Sequence, residues 1–142
     1  MKEYRIFFQP TFHDRFNLHL AVEEDFGILS LTSPPYSNRL ETLSFETEVS
    51  RELLENFERE ISAVDPLTIN SIKDVGRDGI SIDCFYSDNK NSNEFFVWSP
   101  KGEEYREHLI FINSLFRLAC RVLTGEQAAR LLENLNFGRY LL

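Results

Sequence analysis

From Arg15 to Glu23 the chain alternates: Phe16, Leu18, Leu20 and Val22 are apolar, set among Arg15, Asn17, His19 and Glu23. A strand sends successive side chains to opposite faces, so this run predicts a β-strand with one buried and one wet face. Such a strand belongs in an antiparallel sheet, because parallel strands are covered on both faces. The rest of the chain must therefore supply neighbouring strands and a layer to cover one side only.

Flanking segments meet that demand. Tyr4, Ile6 and Phe8 alternate with Arg5, Phe7 and Gln9, predicting a first strand that breaks at Pro10 and Thr11. Glu23, Glu24 and Asp25 form a tight acidic turn, and residues 26–31 return as a third strand. Residues 33–38 carry two prolines, which cannot donate to a ladder, and read as a loop before a short fourth strand with Leu43 and Phe45.

The period then lengthens. Val49, Leu53, Phe57, Ile61 and Val64 recur at three- and four-residue steps, predicting a helix over about 48–63. Thr47 or Ser50 can cap its start, and Asp65-Pro66 ends it. Residues 67–75 read as a short strand. Gly76-Arg77-Asp78-Gly79 reads as a turn whose glycines accept positive φ. Ile80, Ile82, Cys84 and Tyr86 form a strand, linked through the polar loop 88–93 to Phe95-Phe96-Val97-Trp98 as a hairpin. Trp98 is expected to anchor that last strand against the helix that follows. This helix, over about 103–123, has a wide apolar face with Leu109, Ile112, Leu115, Phe116 and Ala119. Thr124-Gly125-Glu126-Gln127 restarts a helix with Leu131, Leu132 and Leu135 inward, and Gly138 stops it. The order predicts one α+β domain over 1–142, with an antiparallel β-sheet of five or six strands and helices packed on one face.

Composition narrows the function class. The chain holds 15 Lys+Arg against 23 Asp+Glu, a net charge of −8, which argues against nucleic acid and against anionic membrane as partners. Thirteen Phe, five Tyr and one Trp exclude a disordered chain. The N-terminus lacks an apolar signal core, and the longest apolar stretch, 108–123, is broken by Asn113, Ser114, Arg117 and Arg121. A cytoplasmic location is expected, with Cys84 and Cys120 as free thiols and Cys84 buried.

No motif points to catalysis. The chain has no HExxH, G-x-S-x-G or glycine-rich phosphate cradle, and His13, His19 and His108 read as surface residues. No catalytic residue, no metal and no cofactor are expected. Charge distribution says more. Between Glu41 and Asp65 there are eight acids and two bases. They offer two candidate partner-binding patches: the turn Glu23, Glu24 and Asp25, and an outer helix face with Glu48, Glu52, Glu55 and Glu58. Either can be a plainly solvated surface, or can steer a basic protein partner into contact.

Residues Asp78-Gly79-Ile80-Ser81-Ile82, then Phe95-Phe96-Val97-Trp98-Ser99-Pro100, then the amphipathic helix, resemble a pattern found in small bacterial α+β proteins. Over about 66–123 the chain is similar to immunity proteins of contact-dependent growth inhibition and other polymorphic toxin systems. That resemblance implies a non-enzymatic, monomeric inhibitor of one cognate toxin domain, such as a nuclease with a basic cleft. Two alternatives stay open: a secretion-chaperone-like homodimer, and an orphan protein-binding module.

Overall fold

The computed structural model describes residues 1–137. Among them, six antiparallel strands form one open sheet: β1 (Lys2–Pro10), β2 (Phe16–Val22), β3 (Gly27–Ser33), β4 (Leu43–Val49), β5 (Ile80–Ser87) and β6 (Ser92–Trp98). Their spatial order is β4-β3-β2-β1-β5-β6. Three helices follow the predicted order: α1 (Arg51–Ile61), α2 (Arg106–Val122) and α3 (Glu126–Phe137). The expected α+β architecture is the one the chain adopts.

Alternation sets the core. Ile6 lies opposite Leu18 on β2 and Cys84 on β5, and Leu18 lies opposite Leu31 on β3. Ile6, Leu18 and Leu31 have no exposed surface, and Cys84 is buried with them as a free thiol. Full burial of such side chains contributes about 1.5–3 kcal/mol each. Helix α2 covers this face: Phe111 stands 5.1 Å from the Phe95 ring, and Phe116 stands 6.2 Å from Phe8. Helix α1 covers one end of it, with Phe57 edge-on to Tyr4 at 4.9 Å. Helix α3 adds Ala128, Leu131, Leu132 and Leu135 to the same core. The stop assigned to Gly138 lies outside the described residues.

Several local expectations are corrected. Glu48 belongs to strand β4 and not to the helix, which starts after Ser50, whose hydroxyl accepts from the Leu53 N–H at 3.3 Å. Val49 is therefore a strand residue, and Leu54 is buried in the core, with Leu53 partly buried against it. Residues 67–75 make no strand. Instead segment 66–72 runs along the outer edge of β6, tied by the Ile72 N–H to the Phe96 carbonyl at 2.9 Å. The Asn93 amide donates to the Pro66 and Ile69 carbonyls, and Ser71 Oγ accepts from the Phe96 N–H.

His108 is not a surface residue. It is 6% exposed on α2, and its Nε2 lies 2.6 Å from the Asn70 carbonyl, clamping that same segment. Trp98 points away from α2, because Phe95 and Val97 take the inward positions on β6. It rests on Gly76 and Gly79, where a Cβ would collide with its ring. These glycines serve close approach, not positive φ; the described glycine with positive φ is Gly102.

Candidate functional site

The seven acidic positions singled out by sequence fall at three places. Glu23, Glu24 and Asp25 are exposed in the β2–β3 turn, closed by the Glu23 N–H donating to the Phe26 carbonyl at 2.8 Å. Glu48 is exposed on β4, opposite Ile28 on β3. Glu52 and Glu55 are exposed on α1, whereas Glu58 is half-buried. The turn and the helix, which the sequence offers as competing patches, are neighbours. Arg51 bridges them, 3.7 Å from Asp25 and 3.2 Å from Glu55. Both pairs are exposed and stabilise little, so Arg51 links the patches more than it holds them.

Glu58 extends the acidic region across the sheet. It lies close enough to Tyr4 and Tyr86 to oppose their ionisation. Burial is the main cause that pushes the Tyr86 hydroxyl up, followed by Asp88, Asp65 and Glu58. Burial likewise raises Tyr4, followed by Tyr86 and Glu58. Asp88 is held below the usual carboxylate range by the N–H groups of Asn91 and Lys90. An acidic rim therefore runs from the β2–β3 turn along α1 to the β5–β6 loop. Lys2, Lys90 and Arg51 dilute it locally.

Among the described residues, no helix covers the opposite face of the sheet. Its central rows are Asn17, Phe7, Asp83 and Phe96, and beside them His19, Arg5, Phe85 and Glu94. All of these except His19 line a groove of about 750 Å³, rimmed by Ser71 from the edge segment. The Arg5 guanidinium carbon sits 4.5 Å above the Phe85 ring, a cation–π arrangement, and Arg5 has no ion pair among the described residues. Asn17 Oδ1 is buried without a hydrogen-bond partner. Sequence reasoning assigns Asn17 only to a wet face. Its place in the groove depends on register, which one strand's alternation does not carry.

Among the described residues no three His, Cys, Asp or Glu side chains gather as a metal set, and no helix is long and apolar enough to cross a membrane. A scan against protein-family models finds no match for this chain, and neither does a search of curated proteins.

Proposed function

We propose that this protein is a non-enzymatic, cytoplasmic, monomeric inhibitor of the immunity kind, which covers a basic surface of one cognate toxin domain with its acidic rim. The observation that supports this reading most is the meeting of the β2–β3 turn and α1 at Arg51, which pairs with Asp25 of the turn and Glu55 of the helix. Charges fixed on a helix and on a closed turn keep one spacing, so a partner meets a preset pattern. Glu48 joins from β4 as an outlier on the sheet's open side. Exposed like charges of this kind act mainly on association rate, and their effect fades as salt screens them.

The test is the double reversal Glu52→Lys with Glu55→Lys, measured against the cognate toxin domain at two salt concentrations. Association at low salt is expected to slow by about tenfold or more, with the gap narrowing at high salt. Unchanged affinity and protection in a folded variant would remove the rim from the interface. Absence of any adjoining toxin gene would remove the immunity reading altogether.

A further inference from the structure

We infer that the outer edge of β4 is a docking site for an extended basic segment of a protein partner, which joins the sheet there as an added strand. This rests on the reading above of a basic partner and gives it a main-chain contact, in which Glu48 takes part.

Register decides which backbone groups of β4 point outward. In an antiparallel ladder, opposed residues alternate between pairs that exchange hydrogen bonds and pairs that do not. The Glu23 N–H donates to the Phe26 carbonyl, so bonded pairs between β2 and β3 recur at every second position, down to Asn17 with Thr32. The remaining β3 residues turn their backbone groups to β4, where Leu29 meets Thr47 and Leu31 meets Phe45. Ser44, Glu46 and Glu48 are left with N–H and C=O groups directed away from the sheet. On β6 the fold occupies the corresponding groups of Phe96: the N–H donates to Ser71 Oγ, and the carbonyl accepts from the Ile72 N–H. Among the described residues, the outward groups of β4 receive only a long 3.4 Å contact, from Thr47 Oγ1 to the Glu48 carbonyl.

The side chains say which strand fits. Ser44, Glu46 and Glu48 are exposed on the open face of the sheet, and β4 runs for seven residues without proline or glycine. On its other face, Leu43 and Phe45 are only partly buried against the core. Opposite charges set directly across a strand pair favour the pairing, and like charges oppose it. Lys or Arg across from Glu46 and Glu48, alternating with apolar residues that cover Leu43 and Phe45, therefore completes both faces at once. Main-chain bonds then supply affinity, and the alternation supplies selectivity. A second copy centred on Glu46 would set glutamate against glutamate instead.

The probe is the peptide acetyl-Lys-Val-Lys-Val-Lys-Val-amide, titrated into the ¹⁵N-labelled full chain and followed by amide shifts and hydrogen exchange. The controls are the same peptide with glutamate for lysine, and two N-methylated forms. Methyl groups on the lysine nitrogens block the peptide edge that bonds to β4, whereas on the valine nitrogens they block only the far edge. Saturable binding in the millimolar range or tighter is expected, with slowed exchange at the Ser44, Glu46 and Glu48 amides. The valine-methylated peptide should bind equally well, and the lysine-methylated and glutamate peptides about tenfold or more weaker. These arms leave the protein unaltered, so no folding defect can imitate them. Glu46→Lys with Glu48→Lys should weaken the basic peptide by about tenfold, and Glu52→Lys with Glu55→Lys by less than about twofold. Equal binding of the lysine-methylated peptide would reduce the contact to charge alone and overturn the site, as would shifts centred on the acidic rim or a lack of saturation. Protection of the same three amides that grows with protein concentration in the absence of peptide would assign the edge to a second copy, and would overturn it too. No toxin enters this titration, so its failure and that of the rim reading are seen separately.

Discussion

Phe7 and Phe8 are adjacent in the chain and live in different worlds. Phe8 has no exposed surface and packs on Phe16 at 4.9 Å and on Phe116 of α2. Phe7 is half-buried on the other side of the sheet and lines a groove with Asn17 and Asp83. One face is determined by what the chain must bury, and its residues are tied to each other. The other keeps rings and carboxylates half-buried or exposed, outside the covered core.

Three measurements put that contrast at risk. The greatest loss is expected for Phe8→Ala, at about 3–5 kcal/mol in chemical denaturation, against about 1 kcal/mol for Phe7→Ala. Equal losses would mean that folding depends on the open face no less than on the covered one. Trp98→Ala should fall between them, at about 2 kcal/mol, since this half-buried ring leans on the backbone at Gly76 and Gly79 and not on a helix. A loss matching that of Phe8 would place Trp98 in the core after all.

A weaker response is expected from pH. Tyr4, Tyr86 and Cys84 on the covered face are all held protonated, chiefly by burial. Their folded pKa values are raised, so the associated stability is fully present below the unfolded values and is lost as pH rises past them. Those unfolded values are about 8.5 for Cys and about 10 for Tyr. The urea midpoint should therefore hold to about pH 8 and decline above about pH 9. Tyr4→Phe keeps the ring against Phe57 and should make that decline shallower. An unaltered slope would show that Tyr4 does not drive it.

Periodicity makes most of the fold legible. Period two locates β1, β2 and β5, and the broad apolar stripe locates α2. The failures have physical reasons. Val49 satisfies both periods at once: it continues the inward parity of Phe45 and Thr47, and it stands four residues before Leu53. Apolar spacing therefore starts the helix too early and takes Glu48 with it. Its place at the end of an aromatic strand, directly before Ser99-Pro100, sets Trp98 against the helix, although the parity of Phe95 and Val97 already sends it outward. His108 stands four residues before Ile112 and seven before Leu115, a spacing that marks it as inward. Of the site, the acids themselves can be read, but not their meeting at Arg51, which depends on α1 lying across the end of the sheet. The groove cannot be read at all, since it exists only through the pairing of four strands.

The two borders of the sheet are finished differently. Segment 66–72 runs along the outer side of β6 and is bonded to its backbone, so that border has few free amides to offer. Among the described residues strand β4 has no such strip, and alternate positions there expose Ser44, Glu46 and Glu48. Two copies meeting along β4 would bring carboxylates face to face, which opposes that pairing. That defence is electrical rather than mechanical, and it weakens as dissolved salt screens the charges. Concentrated salt therefore strips the guard from one border and leaves the other intact, so clumping should begin along β4.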